Sequence, residues 1–132
     1  MKIIYFSVAG QTRRFIQKSP FTNTLEITPL DPFKAIKEPF ILITPTYERE
    51  ITDPVFEFLA YEENARYCMG LVGTGNRNFA ELFIFTAKDL AKEFQLPILY
   101  SFEFSGTTRD IEKLTEVVEQ LESQTITRSN LL

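Results

Sequence analysis

Hydrophobic positions in this chain fall into short continuous runs, separated by stretches where they recur every three or four residues. Lys2–Phe6 (KIIYF) and Phe40–Thr44 (FILIT) are such runs, the pattern of strands buried on both faces. Met69–Gly73 and Ile98–Phe104 read the same way, and Leu25–Thr28 is a weaker fifth. Helical spacing lies between them. Asp53–Pro54 offers a cap followed by proline at the first helical position, with Val55, Phe58 and Leu59 on one face. Asn78 and Glu81 have capping-box spacing ahead of Phe83, Ala87, Leu90, Ala91 and Phe94. Thr107 and Asp110 repeat it before Ile111, Leu114, Val118 and Leu121, and a short helix over 12–18 closes against Ser19–Pro20.

Strands alternating with helices predict an α/β domain, a parallel sheet covered on both sides. Five such strands suit the doubly wound order 2-1-3-4-5. Pro29, Pro32 and Pro39 leave the stretch between strands two and three room for a turn or two of helix. That is close to the shortest connection a parallel crossover can use. The domain is expected over residues 1–122. Residues 123–132 lack helical periodicity and are expected to form a loose tail. Ligands of such sheets bind beyond the carboxyl ends of the strands, near the switch point, which directs attention to the loops after strands one, three and four.

Composition narrows the chemistry. A 132-residue chain that is 44% hydrophobic is expected to fold as one domain without staples. Its net charge of −4 speaks against nucleic acid as a main partner. With no histidine present, Ser-His-Asp triads, Cys-His pairs and histidine metal sites are excluded. No metal site is expected. The single Cys68 fits a reducing compartment and, at the start of a strand, reads as a small buried apolar residue. No signal-peptide pattern and no apolar run of roughly 20 residues is visible. A cytoplasmic protein without a membrane span is expected.

The first loop reads Ser7-Val8-Ala9-Gly10-Gln11-Thr12 and runs into a helix. Successive backbone N–H groups in such a turn, with a helix N-terminus, make an anion pocket. An ordinary βα turn in which Thr12 only caps the helix is the other reading. The Walker pattern is absent, and so is a Gly-x-Gly-x-x-Gly run after strand one. The second loop is Thr44-Pro45-Thr46-Tyr47-Glu48-Arg49-Glu50, and the third Gly73-Thr74-Gly75-Asn76-Arg77-Asn78-Phe79. Tyr47 could stack on a planar ring, and Thr46, Asn76 and Asn78 could bond its polar edge. Asn78 is also placed to cap its helix, and Arg77 to be a solvated charge.

Together these loops resemble a flavodoxin and, more closely, the NrdI family of flavodoxin-like activators of class Ib ribonucleotide reductase. The resemblance rests on Tyr5-Phe6-Ser7, Thr12-Arg13-Arg14-Phe15, Ile43-Thr44-Pro45-Thr46-Tyr47, Gly75-Asn76-Arg77-Asn78-Phe79 and Phe102-Glu103-Phe104-Ser105-Gly106-Thr107. It implies FMN, its phosphate held by Ser7, Thr12 and the amides of Val8, Ala9, Gly10 and Gln11. The ring would lie between the loops at 44–50 and 73–79, which bring Thr46, Tyr47, Glu48, Thr74, Gly75, Asn76, Arg77, Asn78 and Phe79. Tyr47 and Phe79 are the expected ring contacts.

The resemblance further implies a flavin-reducing partner and a reduced flavin that meets oxygen. The resulting oxidant assembles the dimanganese–tyrosyl radical cofactor in the reductase's small subunit. No residue here acts as an acid–base catalyst, because the flavin does the chemistry. Two alternatives stand beside this reading: a general electron-transfer flavodoxin, and a flavin-free module that only docks a partner. The chain departs from the flavodoxin pattern at Ala9, where a hydroxyl is usual, and in the glycine-free Tyr47–Glu50 stretch. A peptide that turns over in that stretch would need positive φ, with Tyr47 or Glu48 carrying the strain.

Overall fold

Strands form where apolar runs can be buried from both sides. β1 (Lys2–Phe6), β2 (Thr24–Ile27), β3 (Phe40–Pro45), β4 (Cys68–Gly75) and β5 (Ile98–Glu103) build one sheet of order 2-1-3-4-5, every neighbouring pair parallel. The structure, a computed structural model, describes the backbone of residues 1–131 and the side chains of residues 1–124. Alternate strand residues serve two cores. Ile4, Phe6, Phe40, Leu42 and Leu71 pack beneath α2 (Arg49–Ala60) and α4 (Phe85–Phe94). Ile3, Tyr5, Ile41, Ile43, Val72 and Phe102 pack on the other face against α1 (Gln11–Lys18) and α5 (Thr108–Leu131). Phe15 of α1 stacks on Phe102 with ring centroids 4.2 Å apart.

Several boundaries differ from the sequence expectation. α2 begins at Arg49, a turn before Asp53–Pro54, so Pro54 lies inside the helix rather than at its first position. As the sixth residue of the helix it has no N–H to offer the Glu50 carbonyl, and the helix continues with that one bond missing. Arg77–Leu82 forms a separate 3-10 segment, and Ala80 (φ 50, ψ −115) breaks it from α4. The cap of that segment is Asn76, whose side chain accepts from the Asn78 N–H at 2.9 Å. Asn78 therefore donates to a cap and is not one. The Thr107–Asp110 box forms as expected: the Thr107 N–H donates to Asp110 at 2.8 Å, and the Asp110 N–H to the Thr107 hydroxyl at 3.2 Å.

No helix forms between β2 and β3. The Thr28–Asp31 bridge opens an irregular crossover, because three prolines in eleven residues interrupt any helical ladder. Asn64, buried in the short helix α3 (Asn64–Tyr67), holds this crossover in place. Its carbonyl accepts from the Ile36 N–H at 2.8 Å, and its amide donates to the carbonyls of Lys34 and Phe58, each at 2.8 Å. At the other end of the chain, the backbone of residues 123–131, expected as a loose tail, continues α5 to Leu131. Leu132 lies outside the described residues. No glycine or proline occurs between 107 and 131, so main-chain bonding carries the helix past the point where apolar periodicity stops.

Burial, and then the hydrogen bond to Asp110 at 2.6 Å, pushes the Tyr100 phenol up to about 12. Folding stability is therefore full below the ordinary phenol value of 10.0 and falls as pH rises through the folded value. An ultraviolet titration should find one phenolate appearing near pH 12, and Asp110→Asn should move it down. Asn64→Ala leaves three main-chain groups without their partner and should cost about 3 kcal/mol in urea unfolding. A loss under about 1 kcal/mol would show that the crossover does not depend on it.

Candidate functional site

Parallel register sets the loops after β1, β3, β4 and β5 on one edge. Pro45 pairs with Thr74, and Gly75 with Glu103, so the last residues of three strands stand side by side. A cavity of about 410 Å³ opens above them, within the range of small-ligand sites. Of the residues singled out from sequence, Gln11, Thr46, Tyr47, Thr74, Gly75, Asn76 and Phe79 line it. Pro45, Leu82, Phe83, Phe85 and Phe104 complete the lining. Ser7, Val8, Ala9, Gly10, Thr12, Glu48, Arg77 and Asn78 stand outside it. Phe83 was read as part of the apolar face of a helix, and Leu82 and Phe85 carried no signal of a site. Phe104 lies in a segment that carried the resemblance, which was the available signal.

At one end of the cavity, β1 runs into the Ser7–Thr12 loop. Gly10 caps α1 in the left-handed region (φ 88), which glycine enters without penalty. Thr12 is 1% exposed, and its hydroxyl is the buried side-chain polar atom, among the described residues, that has no hydrogen-bond partner. Such a group is costly unless something fills its bonding capacity. Arg13 is committed elsewhere, binding Glu26 through Nε at 2.8 Å and Nη2 at 2.7 Å. That pair ties α1 to β2, and the guanidinium holds the Glu26 carboxyl below its usual value. The Arg13 N–H reaches the Ser7 hydroxyl at 3.4 Å. The loop thus offers neutral donors rather than an ion pair.

The far walls are joined by hydroxyls and one close backbone contact. The Thr46 hydroxyl is 2.8 Å from the Thr74 carbonyl and 3.2 Å from the Phe83 carbonyl, so its proton is used inside the fold. A Cβ on Gly75 would come within 2.0 Å of the Phe83 carbonyl oxygen. Only glycine fits there. The Thr74 hydroxyl donates to the Phe104 carbonyl at 3.0 Å. Arg77, read either as a cofactor contact or as a solvated charge, pairs with Glu103 at 2.9 Å and lies over the Phe83 ring at 4.8 Å.

The loop after β3 stands in its unflipped form, and backbone strain lies at other positions around the cavity. Tyr47 and Glu48 have no positive φ; Glu48 sits at φ −57, ψ 152 and caps α2 with its carbonyl. The positive-φ residues beside the cavity are Ala80 (φ 50) and Phe104 (φ 54), a placement typical of sites under functional constraint. Phe79, Leu82 and Phe104 at the rim are 63%, 59% and 48% exposed, more apolar surface in one place than a solvated face needs. Burial pushes the Cys68 thiol up to about 12, which leaves it unreactive. Among the described residues, no group of acidic or cysteine side chains could hold a metal ion, and no helix is long and apolar enough to cross a membrane.

A 2-1-3-4-5 parallel sheet with a glycine-capped helix after β1 and an apolar cavity among the loops at its carboxyl edge defines a flavodoxin-like protein. The solved structure of a flavodoxin from Streptococcus pneumoniae TIGR4 shares this fold, with a TM-score of 0.59 and 21% identity, over 93% of this chain and 97% of that one. A model of the NrdI flavodoxin-like family matches residues 3–116, and the chain belongs to that family. Its members bind FMN, and the residues present fit that cofactor: an orphaned buried hydroxyl for the phosphate end, and an aromatic cavity for the ring.

Gly75→Ala should force the Phe83 carbonyl aside and reshape the ring cavity. Overpacking of this kind costs about 1–3 kcal/mol. FMN affinity measured by fluorescence quenching should drop about tenfold or more, the lower part of that range; unchanged affinity would mean the ring lies away from Gly75.

Proposed function

We propose that this chain is an FMN-dependent redox activator for the small subunit of class Ib ribonucleotide reductase. The observation that carries the proposal is the pairing of an orphaned Thr12 hydroxyl and left-handed Gly10 with an apolar, open-rimmed cavity at the same sheet edge. Membership in the NrdI family supports the choice of partner. In this reading Ser7, Thr12 and the amides of Val8, Ala9, Gly10 and Gln11 hold the phosphate, and Gly10 lets the backbone come close. Tyr47 and Phe79 flank the ring, and the main chain at Gly75 and Asn76 meets its polar edge. Glu48, Thr74, Arg77 and Asn78 support these contacts through the loops they belong to.

Held by these residues, FMN would supply, once reduced, the electrons that turn oxygen into an oxidant for the partner's dimanganese–tyrosyl site. The protein binds, orients and partly shields the ring, while the exposed rim of Phe79, Leu82 and Phe104 keeps one side open to oxygen and to the partner. The metal belongs to the partner. A separate flavin-reducing protein and a cytoplasmic location complete the proposal.

Purified protein should be yellow and release FMN on denaturation. Reduced anaerobically and then mixed with oxygen and the manganese-loaded small subunit from the same cell, it should generate a tyrosyl-radical signal in electron paramagnetic resonance. Gly10→Val places a branched residue in the left-handed region, about 1–2 kcal/mol uphill, and should weaken FMN binding about tenfold and lower the radical yield at limiting FMN. Failure with the cognate subunit alongside rapid reduction of unrelated acceptors would identify a general electron-transfer flavodoxin. Protein that stays colourless through an FMN titration would leave only a docking module.

A further inference from the structure

The loop after β3 is held by a side chain from outside it. Thr86, in the first turn of α4, is 1% exposed. Its hydroxyl accepts from the Tyr47 N–H at 3.2 Å and is 3.0 Å from the Tyr47 carbonyl oxygen, to which it donates. Those two groups belong to different peptide units, 46–47 and 47–48. One hydroxyl therefore holds both peptides that flank Tyr47. Thr46, the preceding residue, is separately tied to the carbonyls of Thr74 and Phe83. Neither peptide beside Tyr47 can rotate without losing its bond to the Thr86 hydroxyl.

We propose that Thr86 is a positioning residue for the cofactor cavity: its hydroxyl clamps both peptide units of Tyr47 and so fixes the wall against which the ring lies. The cofactor part of this proposal rests on the reading that Tyr47 contacts FMN; the clamp itself does not. Peptide dipoles beside a flavin tune its electronics. A clamp that stops those dipoles from reorienting makes the loop respond little to the charge on the ring, and Thr86 controls that response without touching the cofactor.

Thr86→Val removes the hydroxyl at nearly constant shape, and Thr86→Ser keeps it. In hydrogen exchange followed by NMR, with and without FMN, the Tyr47 amide should exchange about tenfold faster in T86V and at the wild-type rate in T86S. The Lys88 amide, bonded to the Ile84 carbonyl at 3.0 Å within α4, should not change in either. Should T86V fail to fold, Thr86→Ala carries the same comparison. In the FMN-loaded protein, the ratio of the equilibrium constants for the two one-electron reductions should shift about tenfold in T86V, a change of about 59 mV in the separation of the potentials. T86S should again match the wild type.

Equal Tyr47 exchange in wild type and T86V would overturn the clamp, whether or not FMN binds. Faster exchange with unchanged potentials and FMN affinity would overturn the positioning role. Absence of FMN uptake by the wild type would overturn the functional reading instead, and the exchange data would still decide the clamp.

Discussion

Strands β1, β3 and β4 are apolar on both faces and lie inside the sheet, so their main-chain groups must be satisfied by the strands on either side. Because the intervening segments cross over rather than hairpin back, the pairing is parallel, and all carboxyl ends reach the same edge. The rest of the molecule depends on this. Helices are needed on both faces to cover the alternating side chains, and loops from distant parts of the sequence are left next to each other. Residues 7–12, 45–47, 74–85 and 104 meet for no other reason.

Four threonines show how that edge is put together. Thr46 and Thr74 spend their hydroxyls on carbonyls of neighbouring loops, and Thr86 binds both peptide units around Tyr47. Each joins one loop to another element and makes the cavity wall stiff. Thr12 is as deeply buried as Thr86, yet its hydroxyl has no partner among the described residues. A fold that satisfies three such hydroxyls and leaves the fourth bare is short of an acceptor or donor at that point, and a phosphate oxygen has the right chemistry. A stiff apolar slot with one polar end suits a planar cofactor that must be held without acid–base groups.

The rim differs in character from the walls. Ala80 and Phe104 take left-handed backbone, and Phe79, Leu82 and Phe104 present apolar surface outward. The Arg77–Glu103 pair and the Thr74–Phe104 bond hold these segments against that strain. The walls are thus held by hydrogen bonds within the fold, whereas the lip is strained and exposed.

The α/β class, the five strands, their order and the loops at the switch point were legible in the sequence, because burial on two faces and helical spacing are local patterns. The Thr107–Asp110 cap was legible for the same reason; it needs only residues three apart. The run at 75–79 drew attention through a family resemblance, and of it Gly75, Asn76 and Phe79 line the cavity. Tertiary contacts decided the rest. Asn78 had the spacing of a cap, yet Asn76 took that role once Ala80 broke the segment from α4. Pro54 was absorbed into α2, and the crossover after β2 formed no helix but hung on Asn64, nearly thirty residues away. Phe83, helical by periodicity, became a wall of the cavity ahead of α4. No local pattern could report these outcomes, since each is set by which distant carbonyl or side chain the folded sheet brings within hydrogen-bonding reach.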